Sequence, residues 1–148
     1  MQTPQSLSSL FKEAHFSNYP IIEIPQSFTD DRGVISNIAD GDLGDVAFIT
    51  CTPDSVRANH IHKNDWHLTY LINGRMIYQW EDNTSGVKKG KIEVVAGQLF
   101  YTPPNTAHKM TFLTESSFIA VSGLHRDQAS YESDTLRLDN DYFDDVRS

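Results

Sequence analysis

Cysteine occurs once in the 148 residues, at Cys51, so neither an intrachain disulfide nor a Cys-rich zinc site can form. It sits in the apolar run VAFITC at residues 46–51, the setting of a buried, inert thiol rather than of a nucleophile. No apolar run approaches the roughly 18 residues of a membrane span, and the N-terminus has Ser, Gln and Pro where a secretion signal needs a basic start and an apolar core; the expected location is the cytoplasm. Basic charge is scarce: 12 Lys and Arg stand against 20 Asp and Glu, a formal net charge of -8. That balance repels phosphate backbones and anionic lipid, so neither nucleic acid nor a membrane is an expected partner. A small anionic substrate stays open, because Arg57, Lys63 and Arg75 can reverse the field inside one cleft.

What is present reads as strands. From about residue 20 onward, short β-type runs are separated by Gly, Pro and Asn: IIEI at 21–24, GVISNI at 33–38, DVAFITCT at 45–52, HLTYLI at 67–72, RMIYQW at 75–80, KIEVV at 91–95, QLFYT at 98–102 and SFIAVSGL at 117–124. Regular short strands with such punctuation predict an all-β sandwich or barrel rather than a parallel α/β fold. Asn73 and Gly74, between HLTYLI and RMIYQW, predict a two-residue hairpin turn. The polar stretch 81–89 reads as a solvated hairpin end, and Leu7, Leu10 and Phe11 give residues 6–14 the spacing of one short helix. The acidic stretch 139–145 is expected to be solvated, with Tyr142 and Phe143 able to dock on the barrel or on a second subunit.

The chemistry-bearing feature is a set of histidines. His60 and His62 are two apart, so in an extended strand both side chains leave the same face and can converge on one ion. His67 follows five residues later, and His108 comes after the segment containing Pro103, Pro104 and Asn105. There the prolines fix φ, and Asn105 is one of the few residue types that tolerate a left-handed turn, so the chain is redirected and His108 starts a strand. Four imidazoles make a neutral site suited to Fe, Zn, Ni, Cu or Co and ill-suited to Mg or Ca. His15 and His125 have no spacing partner and read as ordinary residues.

At this point the sequence resembles the cupin superfamily. The first cupin motif, His-x-His, three or four residues, Glu, six residues, Gly, is matched by His60, His62, His67 and Gly74, with His in the glutamate position. The second, Gly, five to seven residues, Pro-x-Gly, two residues, His, is matched by Gly97, Pro103, Asn105 and His108, with Asn in the glycine position. The glycine expected six residues before His60 is Asp54. The resemblance implies a single jelly-roll barrel, the double-stranded β-helix, over residues 20–138, after a helical or extended segment at 1–19 and before an acidic tail at 139–148. It also implies one divalent transition metal held by His60, His62, His67 and His108, with two alternatives, that Asp65 replaces His67 or that His67 points away and three ligands remain, and a homodimer that covers the exposed strand edges.

A narrower resemblance, carried by FTDDRGVI at 28–35, RANHIHK at 57–63 and YESDTLR at 131–137, is to the cupins of nucleotide-sugar metabolism: 3,4-ketoisomerases, 3,5-epimerases and capsular polysaccharide enzymes. It implies an isomerase or epimerase acting on a sugar or related carbonyl compound. In the metal-free members His60 and His62 would act as acid and base, which one nitrogen cannot do while it holds a metal. Tyr78 and Tyr101 are then the candidate proton carriers, and Arg57, Lys63 and Arg75 the candidate substrate-binding residues. Two other functions fit the same residues: an Fe or Cu dioxygenase, and a cupin that binds a small ligand without turnover.

Overall fold

Alternation of apolar and polar side chains decides which face of each strand turns inward, and here it builds two facing sheets. The computed structural model describes residues 4, 6–8, 19–82 and 88–144. Within them the chain forms β1 (Ile21–Ile22), β2 (Gln26–Asp30), β3 (Gly33–Ser36), β4 (Asp45–Cys51), β5 (Val56–His62), β6 (His67–Asn73), β7 (Arg75–Asp82), β8 (Lys88–Val95), β9 (Leu99–Thr102), β10 (Ala107–Phe112), β11 (Ser116–Ser122), α1 (Gln128–Asp134) and β12 (Thr135–Arg137). One sheet has the order β1-β9-β6-β11-β4, the other β12-β5-β10-β7-β8, and β2 and β3 form a separate hairpin. The neighbouring strands are antiparallel, and the sandwich is of the jelly-roll type expected from the sequence.

The core between the sheets is filled from both inner faces, by Leu71, Phe100 and Phe118 on one side and Met76, Tyr78 and Phe112 on the other. The outer face of the first sheet is also buried, where Leu7 of the N-terminal segment packs in one cluster with Ile22, Trp66, Leu68, Leu99 and Tyr101. Leu7 reaches it through an antiparallel bridge to Gly41. The helix expected over residues 6–14 otherwise falls outside the described residues. The outer face of the second sheet takes Phe143, buried against Ala107, while the Tyr142 hydroxyl donates to Glu81 Oε2 at 2.6 Å. Tyr142 and Phe143 thus dock on the barrel, while Asp139, Asn140, Asp141 and Asp144 around them are exposed as the acidic character predicts; residue 145 and the loop tip 83–87 lie outside the described residues. No helix among the described residues is long and apolar enough to cross a membrane.

The expected hairpin at Asn73 and Gly74 is not formed. β6 pairs with β9 and β11, whereas β7 pairs with β10 and β8, so the chain changes sheets at Gly74. Gly74 has φ +92°, and a Cβ there would lie 2.1 Å from Ser116 Oγ and 2.7 Å from the carbonyl oxygen of Glu115. Close approach at a corner between sheets, rather than a two-residue turn, explains the glycine.

Candidate functional site

β5 and β10 are neighbours in the second sheet, with His60 opposite His108. Cross-strand partners share a face, and His62, two residues from His60, joins them. The ring centroids of His60 lie 4.3 Å from those of His62 and 4.8 Å from those of His108. All three side chains are buried. Their register depends on a bulge, since the pairing of β10 with β5 shifts between His108 and Lys109 and leaves Asn59 unmatched. Ala58 and Asn59, both with left-handed backbone, form that bulge.

The tautomers are set by neighbours. His108 Nδ1–H donates to the carbonyl of Thr106 at 2.9 Å, which leaves Nε2 with its lone pair. The Thr135 hydroxyl donates to the carbonyl of Tyr131 and accepts from His62 Nδ1–H at 3.3 Å, leaving His62 Nε2. His62 Nε2 and His60 Nδ1 are buried without a hydrogen-bond partner. Orphaned buried nitrogens each cost about 1–3 kcal/mol, and two of them in one cluster mark a place shaped for a ligand. Burial, then the mutual repulsion of the imidazoles, holds His60 at about 2 and His62 at about 4. Burial holds His108 at about 3, against the hydrogen bond to Thr106. All three are neutral at physiological pH.

Coordinating atoms of His60, His62 and His108 lie within 4.8 Å of one another. Tetrahedral ligands about 2.1 Å from one ion are roughly 3.4 Å apart, so the rings would draw in by about 1 Å to share one. Donor type, burial, tautomer and orphaned nitrogens all fit a transition metal. His67 stands outside that triad. It projects from β6 in the opposite sheet, 4.5 Å from His62 between centroids, and its Nε2 contacts Asp65 Oδ2 at 3.1 Å. The other oxygen of Asp65 accepts from the backbone N–H groups of Gly123 at 2.9 Å and Leu124 at 3.0 Å. Asp65 therefore orients His67 instead of turning toward the triad.

A cavity of about 280 Å³ opens beside this cluster, lined among others by His60, His67, His108 and Thr69 and by Arg57, Arg126, Tyr131 and Arg137. Of the substrate-binding candidates from sequence, only Arg57 is here. Lys63 donates instead to the carbonyl of Ser133 at 3.2 Å, and Arg75 pairs with Glu93 at 3.0 Å. Arg75 follows the end of β6 opposite to His67, which separates it from the site. Neither tyrosine candidate lines the cavity, although the ring of Tyr78 lies 6.4 Å from that of His108. Tyr101 alternates with Thr102 on β9 and so faces outward, packed with Trp66 under the N-terminal segment. Tyr78 is fully buried in the inner core, its hydroxyl 2.7 Å from Thr102 Oγ1, and burial raises its pKa far above the ordinary phenol value. Neither is placed to exchange a proton with a ligand. Sequence reasoning missed Arg126, which follows β11 with no spacing signal, and used Tyr131 and Arg137 only as part of a motif.

No family model and no curated protein matches the sequence. Solved structures match the fold. The sugar 3,4-ketoisomerase QdtA from Thermoanaerobacterium thermosaccharolyticum, in complex with TDP, aligns with TM-score 0.62 and 20% identity over 85% of this chain and 93% of that one. A dTDP sugar isomerase from Desulfovibrio desulfuricans aligns with TM-score 0.65 and 14% identity, over 86% and 88%. The dTDP-4-dehydrorhamnose 3,5-epimerase from Sulfolobus tokodaii aligns with TM-score 0.62 and 18% identity, over 79% and 77%. The chain has the RmlC-like cupin fold.

Proposed function

We propose that this protein is a cytoplasmic, metal-assisted isomerase or epimerase that moves a proton beside the carbonyl group of a sugar or related compound. The observation that carries the reading is the buried triad of His60, His62 and His108, with two ring nitrogens left without partners and a cavity opening beside it. Neutral imidazoles suit Zn, Fe, Ni, Cu or Co. A bound divalent ion supplies a Lewis acid that polarises a carbonyl oxygen. Thr106 and Thr135 hold the N–H sides of His108 and His62 and so keep the coordinating nitrogens aimed inward.

His67 is the group assigned to the proton. It lines the cavity and lies outside the triad, and Asp65, itself fixed by two backbone N–H groups, sets its ring orientation. An imidazole so placed removes a proton from the carbon next to the carbonyl and returns it to that carbon or its neighbour. Likeness in fold to sugar isomerases and epimerases supports the reaction class. The active unit is proposed to be a homodimer.

Incubation with a panel of keto sugars, nucleotide-linked and phosphorylated, in deuterated water tests the reading by NMR. Deuterium is expected at the carbon beside the carbonyl, at a rate reduced about 100-fold or more in His67→Gln. His62→Ala and His108→Ala are expected to lose the metal on elemental analysis. Absence of label across the panel would sink the reaction class. Undiminished exchange after complete metal removal would transfer the proton to His60 and His62.

A further inference from the structure

The walls of the cavity are cationic in a protein whose net charge is -8. Arg57 from β5, Arg126 from the segment after β11 and Arg137 from β12 line it together, and no Asp or Glu is among its lining residues. The three guanidinium groups are not equally available. Arg57 is engaged at the wall, its Nε donating to Cys51 Sγ at 3.1 Å and its Nη2 to the carbonyl of Thr50 at 3.0 Å. Arg126 lies over the ring of Tyr131 at 4.8 Å, a contact that seats a guanidinium while consuming none of its N–H donors. Arg137 donates through Nη2 to Glu132 Oε1 at 3.0 Å, and the same oxygen accepts from Gln128 Nε2 at 3.2 Å. That ion pair is open to water, with side chains 61% and 47% exposed, so it is weak and readily exchanged.

We propose that the ligand of this cavity carries a phosphate or carboxylate group gripped at the mouth by Arg126 and Arg137, and that Glu132 occupies Arg137 until that anion displaces it. The assignment rests on the cavity being the reaction site, and it is independent of which reaction occurs there. Two guanidinium forks from different elements match the oxygens of a tetrahedral or planar oxyanion bidentately, which a pair of lysines would not. Position fixes how far the anion stands from the chemistry. The Tyr131 ring that seats Arg126 is 5.5 Å from the centroid of His62 and 6.3 Å from that of His60. An anion at the mouth therefore belongs to the same small molecule as the reacting carbonyl, or is the phosphate nearest the sugar in a nucleotide-linked one.

Calorimetric titration of the full chain at fixed ionic strength with inorganic phosphate, glucose 6-phosphate, gluconate and TDP tests this, with circular dichroism to confirm that each variant is folded. At least one of the four is expected to bind, and Arg126→Ala and Arg137→Ala are each expected to weaken it about tenfold or more. Glu132→Gln is expected to tighten it a few-fold by freeing Arg137, a gain that a merely structural role for Glu132 would not produce. Arg126→Lys and Arg137→Lys should fall between wild type and Ala, since they keep charge and lose the fork. Binding of TDP alone assigns the anion to a nucleotide diphosphate, and binding of the monosaccharide anions assigns it to the sugar; both support the grip. No binding of any of the four at millimolar concentration, arginine variants that bind like wild type, or weaker binding in Glu132→Gln would overturn it. If the arginine pattern holds while deuterium exchange fails, the reaction is wrong and the anion site stands.

Discussion

Ala58 and Asn59 have φ of +64° and +57° immediately before His60, and only Asn59 has compensation, its Nδ2 donating to the carbonyls of Leu138 at 3.3 Å and Asp139 at 3.1 Å. A left-handed alanine costs roughly 1–2 kcal/mol, and glycine tolerates that conformation without the Cβ clash. Ala58→Gly is therefore expected to stabilise the protein by about 1 kcal/mol after allowing for the looser unfolded chain, which a thermal melt reads as a rise of about 2–4 °C. A fall would mean that the methyl group on the cavity wall matters more than the strain. The same conformation recurs at Asp54, φ +66°, and Asn105, φ +58°, the two positions where the cupin motifs have glycine. Short polar side chains stand in for glycine there because they are the ones that tolerate the left-handed region. That substitution was legible in the sequence for Asn105; the bulge at Ala58 was not, because alanine carries no signal for it.

Strand existence was readable from alternation, but strand partnership was not. HLTYLI and RMIYQW have the pattern of a hairpin, yet inward-facing residues of both runs are needed on opposite walls of one core, and burial of Leu71 and Met76 there outweighs the local turn preference at Asn73 and Gly74. The helix α1 was missed because QASYESD buries no residue and so has no apolar period; its N-terminus is held by Asp127, whose side chain accepts from Ser130 N. The β2–β3 hairpin raises a different question. Phe28, Val34 and Ile35 are half or more exposed on it, and a two-stranded hairpin alone is marginal in water. β4, at the edge of the first sheet, exposes Val46 and Phe48 at 61% and 66%. Exposed apolar residues on a lone hairpin and on an unpaired edge are the pieces of a pairing between two copies. Sedimentation velocity at micromolar concentration is expected to show a dimer, and Phe48→Lys to shift it toward monomer with the fold retained. A wild-type monomer would remove the homodimer from the proposed function.

Stability of the whole molecule is tied to pH through the histidine triad. Each of His60, His62 and His108 has its folded pKa depressed, to about 2, 4 and 3, by burial in company with like groups, while the unfolded chain titrates near 6.5. Below that pH the unfolded state binds protons that the folded state refuses, so stability falls as pH falls; above about pH 7.5 these groups contribute no slope. The limit is about 1.4 kcal/mol per pH unit for each imidazole, or about 4 kcal/mol per unit for three, down to about pH 4, where His62 begins to protonate in the fold as well. Against a typical total of about 5–15 kcal/mol, a slope in that direction is expected to leave the metal-free protein markedly less stable at moderately acidic pH than at neutral pH. Urea unfolding at a series of pH values from 8 to 4.5 is expected to show a plateau followed by this decline, and His108→Gln should remove about a third of the slope. Equal stability at pH 7.5 and 5.5 would mean that the three rings are not held neutral, and the case for a coordinating triad would go with it. A divalent ion bound to the neutral rings steepens the decline, because protons then compete with the metal as well as with the fold.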